Sequence, residues 1–197
     1  MSAEEPASAG ARGEVEVTEP NQGQRAFARG VAESKATIPH VYFDAELPER
    51  GSLAAIVGAS AAALREVPLL NGAYRDGRFE RYGRINVAVG IAAGDTLLFP
   101  VIDDADALDE SGLAARIEEL AGGAEAGTLA SPAYAGATFT VVDLSAQARR
   151  FAPVINHGQA ATLGCGSAWL TLACDNRIAQ AGEGGELLDR IVSRLLG

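Results

Sequence analysis

Late in the chain three short apolar runs, residues 137–144, 160–165 and 168–174, follow one another between helical patterns, and this interleaving constrains the fold more than any other feature. Each run has the length of a strand. Upstream, residues 40–47 alternate in a way that suits a strand, and residues 85–102 read as two strands joined at Gly94-Asp95, a hairpin signal. Helical spacing appears over residues 22–35, which must end before Pro39 because the residue preceding a proline is pushed out of the α region. It appears again over residues 52–66, where Leu53, Ile56, Ala63 and Leu64 can share a side and Pro68 stops the run. Leu113, Ile117 and Leu120 mark a third helix, with Asp109 and Ser111 as caps, and Leu187, Leu188, Ile191 and Leu195 mark a closing one. Helices alternating with non-adjacent strands predict an α/β (α+β) domain, a mixed sheet with helices packed on it.

A length of 197 residues predicts one domain, and 48% hydrophobic residues suit a globular chain. Sixteen basic against 26 acidic side chains give a net charge of −10, which disfavours nucleic acid and anionic membrane surfaces as partners. No run approaches a membrane span, and the acidic, polar residues 1–19 read as a disordered leader rather than a signal peptide, so the domain is placed at 20–197 and the protein in the cytoplasm. Cys165 and Cys174 sit in apolar strand patterns with no CxxC or Cys/His cluster, which predicts reduced structural thiols and no metal site. The paired glycines at 122–123 and 184–185 lack the Lys-Ser/Thr partner and the strand–turn–helix context of a phosphate loop.

Several words occur in a telling order: Ala28-Arg-Gly-Val-Ala-Glu-Ser-Lys-Ala-Thr-Ile-Pro-His40, Phe99-Pro-Val-Ile-Asp-Asp-Ala-Asp106, Gly136-Ala-Thr-Phe-Thr-Val-Val-Asp-Leu144, Phe151-Ala-Pro-Val-Ile-Asn156, Gln159-Ala-Ala-Thr-Leu-Gly164 and Asp175-Asn-Arg177. Together they resemble the catalytic domain of dihydrolipoamide acyltransferases, the core of 2-oxoacid dehydrogenase complexes. The resemblance implies a chloramphenicol acetyltransferase-like mixed sheet with flanking helices. It also implies a homotrimer with active sites in channels between subunits, entered by coenzyme A on one side and lipoamide on the other. No length remains for the lipoyl and subunit-binding domains that precede this domain in the family, so the chain is expected to lack its own swinging arm.

Acyl transfer between thiols needs a base for the thiol proton and a donor for the tetrahedral oxyanion. The family draws the base from Asp-His-Arg-x-x-Asp-Gly and the hydroxyl donor from Gly-Gly-x-Phe-Thr-Ile-Ser-Asn. At the matching positions this chain has Asn176 for the histidine, Gln180 for the second aspartate and Val142 for the hydroxyl residue. An amide cannot cycle a proton near neutral pH, and valine cannot donate a hydrogen bond. The hairpin that the family inserts before Asp-His-Arg is also trimmed.

Substitutes are His157, where the family has proline, Thr140, on the same strand face as Val142, and His40; a surface or structural role is the competing reading for each. Asn176, Arg177, Asp143 and Trp169 are the candidate substrate-binding residues, with a local ion pair between Asp175 and Arg177 and a core role for Trp169 as alternatives. No cofactor is implied beyond binding of coenzyme A or an acyl thioester. Three functions compete: a repurposed enzyme binding an acyl- or polyketide-like small molecule and promoting cyclisation, elimination or isomerisation; a non-catalytic scaffold subunit of a 2-oxoacid dehydrogenase-type complex; and a coenzyme A-dependent acyltransferase with a displaced base such as His157.

Overall fold

Local chemistry sets the helix boundaries. In a computed structural model that describes residues 13–93 and 96–197, α1 (Gln22–Thr37) opens with a reciprocal capping box between Asn21 and Gln24. The Ser52 hydroxyl accepts from the Ala55 amide to start α2 (Leu53–Glu66), and Asp109 does the same for α3 (Glu110–Glu125) through the Gly112 amide. Ser111, the other expected cap, lies inside the first turn and donates to Asp109 instead. The last helix is α4 (Glu183–Leu196). The expected turn at Gly94-Asp95 and most of the expected leader lie outside the described residues.

The strands are β1 (His40–Glu46), β2 (Gly72–Arg75), β3 (Arg78–Arg81), β4 (Val87–Ala93), β5 (Thr96–Leu98), β6 (Val101–Ile102), β7 (Phe139–Asp143), β8 (Ala161–Cys165) and β9 (Trp169–Asp175). Seven of them form one mixed sheet in the order β1-β9-β8-β7-β4-β5, with β6 also paired to β4; the β4–β7 and β7–β8 pairs are parallel and the rest antiparallel. Two details differ from the sequence reading. Residues 85–102 make three strands, because the ladder is interrupted at Phe99 and Pro100, where only the Pro100 carbonyl accepts from the Val89 amide (3.0 Å), before β6. In addition, β2 and β3 form a separate hairpin whose charged residues hid its alternation; its turn, Asp76-Gly77, has positive φ at both residues, as a two-residue hairpin turn requires.

The sheet has two unlike faces. Val87, Val89, Phe139, Val141, Leu163, Leu170 and Leu172 share one buried cluster with Ile56 and Leu64 of α2, Leu113 and Leu120 of α3, and Leu187 and Ile191 of α4. Side chains alternate along a strand, so the other face carries Ala88, Gly90, Thr140, Val142, Thr162, Gly164, Thr171, Ala173 and Asp175. These are small or polar. Over this second face lie α1, of which only Ser34 is buried, through a hydroxyl bond to the Ile155 carbonyl (2.6 Å), and the segment 151–156. The large aliphatic residues thus fix where the helices pack, and the small ones leave room on the opposite side.

Both thiols lie on the helix-covered side, buried and free. Register pairs Cys174 with Ala161, four residues from Cys165 along β8, about 13 Å, too far for a disulfide.

Candidate functional site

Val142 stands at the centre of the small-residue face. Register places Gly90 on one side of it and Gly164 on the other, so a trough crosses three strands with valine as its only large member. A methyl group at Gly90 would meet Val142 Cγ1 at 3.3 Å and Phe99 Cε1 at 3.4 Å, and one at Gly164 would meet Phe151 and Pro153. The trough opens into an apolar cavity of about 200 Å³ lined by Phe27, Val31, Phe99, Val142, Phe151 and Asn156. A second cavity of about 190 Å³ shares Phe27, Val31, Phe99 and Asn156 with it and reaches His157. Phe27 of α1 stacks on Phe99, centroids 6.3 Å apart, and forms the roof.

The substitutes expected for the missing catalytic groups are differently placed. The Thr140 hydroxyl donates to Gln159 Oε1 and accepts from Asn156 Nδ2, both at 2.8 Å, so it is already committed. His40 is committed at both nitrogens: Nδ1–H donates to the Ile38 carbonyl (2.8 Å) and Nε2 accepts from the Ile155 amide (3.0 Å). Burial pushes its pKa below the ordinary value, which keeps the ring neutral in this role. His157 is exposed, with Nε2 3.7 Å from Glu33 Oε1. Neither Gln159 nor Asn156 was singled out by sequence reasoning as a partner of Thr140, because nothing in the spacing reveals a side-chain bond across 16 to 19 residues.

The turn after β9 holds the motif positions. Asp175 is buried and receives a forked contact from Arg177: Nε lies 2.9 and 3.1 Å from the two carboxylate oxygens and Nη2 2.6 Å from Oδ2, and the Arg177 amide donates to Oδ1 at 3.0 Å. The Arg177 guanidinium lies over the Tyr74 ring, 4.5 Å from its centroid, and the bond to Asp175 raises its pKa. The expected local ion pair is therefore formed, with its carboxylate buried and its guanidinium partly exposed. Asn176 is exposed, anchored by its amide on the Pro39 carbonyl (2.8 Å). Gln180 is exposed and donates to the Arg177 carbonyl (2.6 Å).

The four candidate substrate-binding residues do not converge within one chain. Asn176 and Arg177 follow the end of β9 that Trp169 begins, about 20 Å away along the strand. Asp143, at the far end of β7, pairs with Arg50 and accepts from the Ser145 amide. Trp169 is half-buried beneath the Arg150 guanidinium, 5.7 Å from its centroid, and Arg150 forks onto Asp44. Val142 and Asn176 are also separated, by two strand spacings and about five residues of rise, roughly 19 Å. One substrate atom cannot touch both in a single protomer.

Among the described residues no group of three or more His, Cys, Asp or Glu is placed to hold a metal ion, and no helix is long and apolar enough to cross a membrane.

This architecture is that of the chloramphenicol acetyltransferase-like acyltransferase cores. Chloramphenicol acetyltransferase itself superposes with a TM-score of 0.54 over 85% of this chain and 94% of its own, at 10% identity. A dihydrolipoamide acetyltransferase from Azotobacter vinelandii gives 0.90 at 22% identity over 99% and 97%. A probable dihydrolipoamide acetyltransferase from Listeria monocytogenes gives 0.87 at 30% identity over 94% and 96%. The chain belongs to the 2-oxoacid dehydrogenases acyltransferase (catalytic domain) family, whose model matches residues 46–195. Curated relatives include the acetyltransferase components of the pyruvate dehydrogenase complex of Dictyostelium discoideum, mitochondrial, 30% identical over 84% of this chain, and of Staphylococcus aureus, 34% identical over 73%. The matches span 32% and 39% of those relatives' own length.

Proposed function

We propose that this protein binds an acyl- or polyketide-like small molecule in a channel between the subunits of a homotrimer and promotes its cyclisation, elimination or isomerisation by orientation rather than by acyl transfer. The observation that carries the reading is Val142: the position matching the family's hydroxyl donor is an aliphatic residue lining an apolar cavity. The Azotobacter enzyme was studied for the catalytic roles of a serine, a histidine and an asparagine, the last two four residues apart; on our reading of the motifs, Val142, Asn176 and Gln180 stand at the matching positions. Loss of a general base removes about 10²–10⁴ in rate, and loss of one oxyanion donor about 10²–10³. Holding the reacting groups of a bound substrate in a productive geometry can still lower a barrier without a base or an oxyanion donor. The roughly 19 Å between Val142 and Asn176 supports the inter-subunit channel, because a second protomer is needed to complete any site that uses both.

The test is acetyl-coenzyme A turnover with dihydrolipoamide or a small thiol acceptor. The wild type is expected to be inactive, and the double variant Val142→Ser/Asn176→His to gain measurable turnover if the channel still admits coenzyme A. Turnover by the wild type overturns the reading. His157 is the one imidazole among the described residues with no hydrogen bond to its ring nitrogens, which favours a second reading as a displaced base; wild-type turnover abolished in His157→Ala establishes that alternative instead.

A further inference from the structure

Next to the apolar cavities lies a cleft of about 600 Å³ lined by Arg75, Arg81, Tyr82, Arg84, Thr138 and His157, together with Gly83, Gly136, Ala137 and Gly158. Three arginines and a histidine line it, and no acid does, in a chain whose net charge is −10. Two of the arginines are partly neutralised from outside: Arg84 forks onto Asp104 (2.7 and 2.5 Å), and Arg75 lies 3.4 Å from Glu80. Arg81 has no acidic partner among the described residues. The floor is built rather than accidental. The Tyr82 hydroxyl donates to the Gly158 carbonyl (2.9 Å), Asn86 Nδ2 donates to the Gly136 carbonyl (2.9 Å), and Thr138 Oγ1 both accepts from the Asn86 amide and donates to its carbonyl.

The cleft adjoins the site across one shared wall, His157. His157 lines both the basic cleft and the cavity of about 190 Å³, and that cavity shares four residues with the one beside Val142. Thr138 lines the cleft and Val142 the far cavity; they lie four residues apart on one strand face, about 13 Å. Positive charge therefore sits on one side of His157, and beyond it lies an apolar lining of Phe27, Leu97, Phe99, Leu144 and Phe151.

We infer that the site takes a single-chain amphiphile with a free carboxylate, its head on Arg81 with Arg75 and Arg84 beside it, and its hydrocarbon chain running past His157 and Asn156 to Val142. This rests on the proposed binding of an acyl-like substrate and narrows it to a carboxylic acid. A carboxylate matches the planar arginine fork, and a bond to a charged group is worth about a tenfold change in affinity at a partly wet site. The apolar chain replaces water against the aromatic lining.

The experiment is calorimetric titration of the intact native assembly with decanoate, with the uncharged isostere decanamide, and with acetate, the head without the chain. Decanoate is expected to bind about tenfold more tightly than decanamide, and acetate not measurably. Arg81→Gln, at an exposed position, should bring decanoate down to the affinity of decanamide and leave decanamide unchanged. Val142→Asp, checked for folding by circular dichroism, should weaken both. Equal binding of decanoate and decanamide by the wild type, an unaltered preference in Arg81→Gln, or no decanoate binding at all overturns the inference. None of these readouts involves turnover: if the wild type transfers acetyl groups yet shows the Arg81-dependent preference, the proposed reaction falls and the carboxylate site stands.

Discussion

Arg177→Ala removes one partner of a buried pair and should be among the more damaging single changes outside the aliphatic core. In the native chain the Asp175 side chain is 1% exposed and Arg177 32%. Truncation strips the carboxylate of every contact from the guanidinium and leaves it the Arg177 amide. Breaking such a pair costs about 3–5 kcal/mol when both groups are buried; with a third of Arg177 in water, the low end, about 3 kcal/mol, applies. The lost stacking on Tyr74 adds about 0.5–1 kcal/mol. At about 2–4 °C per kcal/mol for a chain of this size, the melting temperature should fall by roughly 7–16 °C. Urea unfolding at several protein concentrations measures the loss and separates it from any effect on association. Arg177→Lys should fall between the wild type and alanine, because it keeps the charge and loses the fork. Replacing both partners, as in Asp175→Leu/Arg177→Met, should cost less than Arg177→Ala alone, since no charge is then left buried. A loss below about 1 kcal/mol in Arg177→Ala, the worth of an exposed pair, refutes the reasoning.

Two further expectations concern the frame around the site. The pKa of His40 is depressed in the folded chain, so the denatured chain binds the proton more readily; stability from this residue is therefore lost as pH falls below the ordinary value of 6.5. Urea unfolding between pH 7.5 and 5.5 should show a steeper loss in the wild type than in His40→Asn, and parallel curves contradict the buried, neutral assignment. Gly184→Ala in α4 would gain about 1 kcal/mol of helix propensity, yet its methyl group would lie 2.1 Å from the Phe43 ring; a net loss of about 1–3 kcal/mol, read by thermal unfolding, is expected, and a stabilised variant contradicts the packing of α4 on β1.

Periodicity carried the long elements: α1 to α4, β1, β7, β8 and β9 lie where apolar spacing and caps placed them. It failed at β2 and β3, where Arg78, Glu80 and Arg81 gave no apolar alternation and only Asp76-Gly77 marked a turn. The candidate site could be read from the sequence as motif positions and not as an arrangement. Ordered motifs located Val142, Asn176 and Gln180, but a linear motif does not say that β9 runs antiparallel to β8. That antiparallel run places Asn176 about 19 Å from Val142. Likewise the commitment of Thr140 and His40 to partners on the segment after β7 depends on how that segment folds back over the sheet.

Valine at 142 follows from the same geometry. Gly90 and Gly164 flank the position across both neighbouring strands, Phe99 and Phe151 close over it, and the nearest hydroxyl system, Thr140 with Gln159 and Asn156, is already satisfied within itself. A serine placed there would point its hydroxyl into an aliphatic and aromatic lining and find a partner only when a substrate oxygen arrived. An unpaired buried hydroxyl costs about 1–3 kcal/mol, and the lost methyl contacts add to it. An acyltransferase can bear that cost because the hydroxyl stabilises an oxyanion in the transition state. On the proposed function, in which no oxyanion forms, the hydroxyl is a liability and an aliphatic side chain is the stable occupant. Val142→Ser alone should therefore lower unfolding stability by about 2–4 kcal/mol without restoring turnover. A serine variant as stable as the wild type would show that the trough holds a partner for the hydroxyl, and would weaken the case that this position has left acyl transfer.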